Sequence, residues 1–240
     1  MGSQVCRAVE DADGLRLAGR FDVGDGLGDL AGADVVVEFS VPDVSPANVA
    51  HCIERGIHVV VGTTGWDDAK LDALREQLAG APTSSTGSPV GVLVAPNFAI
   101  GAILMMSFAA QAARYYESVE VIELHHPDKV DAPSGTAAHT AALIGAARSD
   151  AGMPDVPDAT THDPHGARGS TVSGIPVHSV RLRGLVAHQE VLLGNVGEML
   201  TIRHDSFDRA SFMPGVLEGV RRVSEHPGLT VGLEHYLGLG

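Results

Sequence analysis

Along the first hundred residues, short apolar runs rich in valine and isoleucine alternate with stretches whose apolar positions recur at helical spacing. Four runs read as strands: LRLAGRF at 15–21, DVVVEFS at 34–40, IHVVVGTT at 57–64 and VGVLVAP at 90–96. The last three are almost continuously apolar, as strands are when both faces of their sheet are covered. The pattern predicts one helix over SQVCRAVEDADG, stopped by Gly14, and others starting near residues 43–46 and near Asp67. A Ser, Thr and Pro stretch at 82–89 predicts a surface loop. Strands and helices in this rhythm cross over into a parallel, doubly wound sheet.

From Gly101 the pattern changes. An Ala- and Met-rich helix over 101–116 leads into SVEVIELHH, a strand, and a second Ala-rich helix runs to about Arg148. Residues 149–170 are rich in Pro, Asp, Gly and His, too polar and too broken for a core. IPVHSVRLRG, AHQEVLLGN and EMLTIRHDS then alternate apolar and polar positions between Gly-containing turns, which predicts a mixed or antiparallel sheet with one apolar face. The last amphipathic stretch, DRASFMPGVLEGVRRVSEHPG, predicts a helix ended by Pro227 and Gly228.

Composition narrows the classes of function. With 240 residues, 44% of them hydrophobic, the chain can bury a substantial core. A formal net charge of -14 argues against a nucleic-acid or anionic-membrane surface, since both demand positive patches. Any bound anion must be met locally. Cys6 and Cys52 form no paired spacing, so neither a disulfide framework nor a thiolate zinc site is expected, and a reducing cytoplasm suits them. No apolar run approaches the roughly 18 residues of a membrane span, and no signal-peptide pattern opens the chain.

The densest chemistry lies in ELHHPDKVDAPSGTA, residues 123–137. Ser134 after Pro133 is a good N-cap, so Gly135 and Thr136 would present free backbone N–H groups at a helix start, a setting for an anion. Lys129, His125 and His126 add a cationic and protic cluster suited to a carboxylate substrate that needs a proton donor. A solvated loop is the plainer alternative. Metal binding by the adjacent histidines is not expected, because neighbouring side chains on a strand point to opposite faces and no third ligand is spaced to join them. VGTTGW (61–66) and APNFAIG (95–101) each follow an apolar strand, at the carboxyl end where open α/β sheets bind ligands. Asp22 follows Gly2 by about 20 residues, the distance at which a dinucleotide fold places its ribose-binding acid.

On these residues the chain resembles the 4-hydroxy-tetrahydrodipicolinate reductase family, also called dihydrodipicolinate reductase, over almost its whole length. The most specific likeness is to the family pattern E-x-H-H-x-x-K-x-D-x-P-S-G-T-A, met at Glu123 to Ala137. VGTTG, APNFAIG and the region GIPVHSVR through GLVAHQEV support it. The resemblance implies an α/β fold. A Rossmann-like parallel-sheet domain, residues 1–99 and 206–240, would bind NADPH or NADH. A second α+β domain with a mixed or antiparallel sheet, residues 100–205, would bind a cyclic dicarboxylate and form a homotetramer through its sheets. It implies that His125 is the catalytic proton donor and that Lys129 assists as acid while polarising the substrate. His126, Lys129, Ser134, Gly135 and Thr136 would contact substrate carboxylates. Gly62, Thr63, Thr64, Ala95, Asn97 and Phe98 would line the nicotinamide side, Asp22 would hold the adenine ribose, Phe39 would lie along the cofactor, and Arg209 and Phe212 would complete its site.

The family's first strand and most of its G-x-x-G-x-M-G loop have no counterpart, since Met1-Gly2 matches only the final M-G. The expectation that follows is weak dinucleotide binding by this chain alone. Three readings remain: the reductase, a non-catalytic dicarboxylate-binding protein without the cofactor loop, and another two-domain dinucleotide oxidoreductase. Arg20 and Asp22 leave NADH and NADPH both open.

Overall fold

A computed structural model describes every residue of the chain except 23, 26, 29, 31 and 240. The chain divides into two compact units, Met1–Ile100 with Arg209–Gly240, and Gly101–Asp208.

Unit 1 opens with helix α1 (Gly2–Asp11), after which Gly14 takes a left-handed φ of 79°, the conformation its missing Cβ permits. Residues 15–21 form no strand, contrary to the expectation from their alternating pattern. Leu15 and Leu17 are only half-buried and Phe21 is 47% exposed, so the run has no core face to settle on. The parallel crossovers then begin: β1 (Val35–Glu38), α2 (Ser45–Ile53), β2 (His58–Val61), α3 (Asp68–Ala79) and β3 (Gly91–Val94). Asp67 caps α3, its side chain accepting from the Lys70 N–H at 2.9 Å.

The chain passes through unit 2 and returns with a 3-10 turn at Arg209–Phe212, helix α6 (Met213–Arg222) and a strand at Gly228–Val231 that pairs parallel with β3. Val59, Val61, Val92 and Val94 pack against Val49, Ile53, Leu71 and Leu74 of α2 and α3. Gly219 of α6 lies on the opposite face, against Val60 and Leu93. Both faces are therefore covered, which is why these strands are apolar throughout.

Unit 2 begins with α4 (Ile100–Ala112), which straddles the boundary, followed by β4 (Ser118–His125) and α5 (Gly135–Asp150). Then come β5 (Ser170–Val172), β6 (Ile175–Arg181), β7 (Ala187–Asn195) and β8 (Glu198–Ser206); the returning strand of unit 1 is β9. The sheet order is β5-β6-β4-β7-β8, with β4 parallel to β6 and antiparallel to β7. Period-two alternation turns Val119, Val121, Val191 and Leu193 inward against Ala137, Ala141 and Ile144 of α5. The other face carries Ile122, Leu124, Leu192 and the 37%-exposed Val180, with Arg203 paired to Glu190 at 2.5 Å. Arg148 anchors the far end of α5 by donating to the carbonyls of Glu117 at 3.1 Å and Pro154 at 2.8 Å. Among the described residues no helix is long and apolar enough to cross a membrane.

Candidate active site

The unit 2 cluster is organised around one buried carboxylate. Glu123 and His125 stand two positions apart on β4, so their side chains share a face. Nδ1 of His125 lies 2.5 Å from Oε2 of Glu123, whose side chain is wholly buried. The parallel pairing sets Arg181 of β6 opposite His125. From there its guanidinium donates to both oxygens of Glu123, at 2.8 and 2.7 Å, a bidentate clamp. The backbone N–H of Ser134 donates to the same carboxylate at 3.2 Å. Burial alone would raise the Glu123 carboxyl, but hydrogen bonds from Arg181, Ser179 and His125 outweigh it and hold it at about 2. Glu123 is thus an anion at neutral pH.

His125 feels the reverse balance. Burial lowers its imidazole below the ordinary 6.5; contact with Glu123 pulls upward, while the charges of Lys129 and Arg181 add to the lowering. The loop after β4 brings Lys129 to the cluster, where Nζ donates to Oδ1 of Asp131 at 2.7 Å. The other oxygen of Asp131 accepts from the Gly135 N–H at 3.3 Å. The ion pair with Lys129 chiefly holds the Asp131 carboxyl below its usual range. One carboxylate is therefore engaged by both a lysine and a helix start, the two features that suit this place to an anion.

Ser134 caps α5 as the sequence predicts, its Oγ accepting from the Ala137 N–H at 3.2 Å. Gln189 of β7, opposite Glu123, donates to Thr140 Oγ1 at 2.8 Å, and Thr140 donates to the carbonyl of Thr136 at 2.8 Å. His125, Lys129, Ser134, Gly135 and Thr136 are thus gathered within one hydrogen-bonded region. The His126 ring stays outside it, exposed with Nδ1 4.0 Å from Asp128, while the His126 carbonyl accepts from the Lys129 N–H at 3.3 Å. Sequence reasoning missed the roles of Glu123 and Arg181. The i, i+2 spacing could have paired Glu123 with His125, whereas Arg181 becomes visible only once β6 is set beside β4.

In unit 1, Phe39, Gly62, Thr63, Thr64, Ala95, Asn97 and Phe98 lie at the carboxyl ends of adjacent parallel strands. Gly62 follows β2, and a Cβ there would overlap the Phe39 ring. That ring, at the end of β1, lies 5.7 Å from the ring of Phe98, centroid to centroid. Thr63 is buried, and its Oγ1 accepts from the Ser40 N–H at 2.8 Å, joining the ends of β1 and β2. Glu38 anchors the same turn by accepting from Ser45 Oγ at 2.6 Å. Thr64 is exposed and Ala95 buried, and Asn97 turns the chain by accepting from the Ala99 N–H at 2.8 Å. Arg209 and Phe212 occupy the turn before α6. Gly215, three residues on, packs so closely on the Phe98 carbonyl that a Cβ would overlap it. Asp22 is exposed on the irregular segment between α1 and β1. Small residues, an aromatic pair and turn backbone at three strand ends fit the nicotinamide portion of a dinucleotide. Among the described residues there is no cluster of three or more His, Cys, Asp or Glu suited to a metal ion.

Residues 1–98 match the family described as "Dihydrodipicolinate reductase, N-terminus", and residues 101–237 match "Dihydrodipicolinate reductase, C-terminus". The chain is 59% identical over 239 residues to the 4-hydroxy-tetrahydrodipicolinate reductase of Cutibacterium acnes, covering 100% of this chain and 95% of the relative. Identity to the protein of that name from Nocardia farcinica is 58% over 241 residues, with the same coverage. Among solved structures, the dipicolinate-bound dihydrodipicolinate reductase from Paenisporosarcina sp. TG-14 superposes with a TM-score of 0.79 at 35% identity, over 98% of this chain and 94% of that one.

Proposed function

The chain belongs to the dihydrodipicolinate reductase family, and from that premise we propose how its residues divide the work. It is an NAD(P)H-dependent oxidoreductase that reduces 4-hydroxy-tetrahydrodipicolinate to tetrahydrodipicolinate, a step of lysine and diaminopimelate biosynthesis. The non-catalytic binding protein finds no support in such relatives. The conversion exchanges a hydroxyl for hydrogen and consumes one proton, with water as the second product. When bound, the reduced nicotinamide supplies the hydride.

Unit 1 is the dinucleotide domain in this reading. Gly62, Thr63, Thr64, Ala95, Asn97 and Phe98 line the nicotinamide, with Phe39 along the cofactor, Asp22 toward the ribose, and Arg209 and Phe212 completing the site. Unit 2 takes the substrate. One substrate carboxylate replaces the Asp131 carboxylate on Lys129 and the Gly135 N–H, with Ser134, Thr136 and the exposed His126 as further donors. His125 delivers the proton and Lys129 polarises the ring, so that negative charge developing on it is met by a positioned acid.

The observation that carries this reading is that His125 and the Ser134 N–H meet on the buried Glu123 carboxylate while Lys129 and the Gly135 N–H meet on the neighbouring Asp131, which brings the acid, the lysine and the α5 start together. Oxidation of NADPH and NADH with freshly generated 4-hydroxy-tetrahydrodipicolinate tests it. Turnover that falls in His125→Gln and Lys129→Ala while cofactor affinity holds is the expected result; full turnover in both variants would refute the roles. Dipicolinate, bound by the Paenisporosarcina relative, should compete with substrate here. The sheet face bearing Ile122, Leu124, Leu192 and Val180 is suited to a second copy, and we place a homotetramer in the cytoplasm. Light scattering on Val180→Asp, with dissociation as the outcome, tests the assembly.

A further inference from the structure

We propose that Glu123, held by Arg181, is the positioning residue that commits His125 to releasing its proton from Nε2 and keeps that nitrogen in register with the carboxylate-binding start of α5. This rests on His125 being the proton donor. Three observations carry it. Nδ1, not Nε2, faces the Glu123 carboxylate, at 2.5 Å. The carboxylate cannot swing to follow the ring, because Arg181 grips both of its oxygens and its side chain is wholly buried. The same carboxylate accepts from the Ser134 N–H, the residue that caps α5. A shift of Glu123 would therefore move the acid and the anion-binding turn together.

Nitrogen chemistry then fixes the direction of transfer. An ionised carboxylate accepts only, so the ring proton at Nδ1 stays bonded to Glu123 in both charge states. The second proton, present only in the imidazolium, sits on Nε2 and is the one available for release. When it leaves, neutral imidazole remains with its hydrogen still toward Glu123, and the lone pair faces the former acceptor. The charged groups around the ring are Glu123 on its own strand, Lys129 on the following loop and Arg181 on β6. From β7, Ala187 stands opposite His125 and Gln189 opposite Glu123, and α5 contributes Ser134, all uncharged. Arg181 also donates to the Asp131 carbonyl at 2.7 Å, so the clamp reaches the loop that carries Lys129.

Two measurements test the proposal. Nitrogen NMR of His125 in the folded wild-type protein above its titration should show the proton on Nδ1; a proton on Nε2 would overturn the assignment whatever the variants do. Glu123→Gln keeps the shape and removes the charge. Its kcat should fall about tenfold or more, up to the 10²–10⁴ that a positioned acid contributes, while KM for the reduced cofactor holds. The alkaline limb of its kcat-pH profile should move to lower pH, because the imidazolium has lost its counter-charge. A lower melting temperature with an unmoved pH profile would make Glu123 a merely structural residue and refute the proposal. Wild-type inactivity toward 4-hydroxy-tetrahydrodipicolinate would instead overturn the functional reading, and the His125 tautomer would still decide this one.

Discussion

The strand ends of unit 1 and the end of β4 in unit 2 are built on different plans. At the first, three parallel strands finish side by side, and their turns offer a glycine, two threonines, an asparagine and two aromatic rings tilted against each other, with shape set by how closely the backbone can approach. At the second, a single strand end is wired by charge: His125, Glu123, Arg181, Asp131 and Lys129 follow one another through hydrogen bonds of 2.5 to 2.8 Å. Topology alone can make a cleft for a large flat ligand, because crossover connections leave strand ends free. A proton donor needs more, since its orientation and charge depend on partners from separate stretches of chain.

If the plans differ in this way, damage to each should read out in different constants. The largest effect is expected for His125→Gln, with kcat lower by about 10²–10⁴-fold and cofactor KM unchanged, measured by steady-state oxidation of reduced nicotinamide. Gly62→Val should do the opposite. Overpacking against Phe39 of about 1–3 kcal/mol becomes a rise of about five- to a hundred-fold in cofactor KM, with substrate KM held. A matching rise in substrate KM would erase the distinction. Ser134→Ala removes the α5 cap and should cost about 1 kcal/mol in denaturant unfolding, with substrate KM raised and cofactor KM steady.

The last effect is a matter of pH. The Glu123 carboxyl is depressed from its ordinary 4.5 to about 2 by its donors, so its stabilising contribution is complete above 4.5 and is lost only as pH falls toward about 2. The stability gap between wild type and Glu123→Gln should therefore narrow only as pH falls below 4.5, as acid-unfolding curves would register. A gap that closed above 4.5 would mean that the clamp does not hold the carboxylate as described.

Legibility in the sequence followed the same division. Apolar runs and their spacing indicated β1 to β3 and their helices, because burial on both faces leaves a continuous imprint on a strand. The pattern at 123–137 indicated His125, Lys129 and the capped helix for a local reason: all lie on one stretch of chain. Arg181 is remote from Glu123 in sequence, and only the parallel register of β4 with β6 brings it opposite His125. Residues 15–21 show the converse error, since alternation suggested a strand where the chain finds no ladder. The three-residue β5 is too short to leave a periodic trace, and β9, half-buried or exposed along its length, lacks the continuous apolar run of β2 and β3.

The return of the chain to unit 1 bears on how the protein is made. β9 supplies the outer partner of β3, and α6 covers the face of Val60 and Leu93, yet both are synthesised after the whole of unit 2. On the ribosome, unit 2 has all its strands first, while β3 waits with an open edge and an uncovered apolar face. Nascent chains released before residue 228 should therefore hold unit 2 in a protease-resistant form while unit 1 is digested, and the step that completes the protein is the docking of its last elements onto its first.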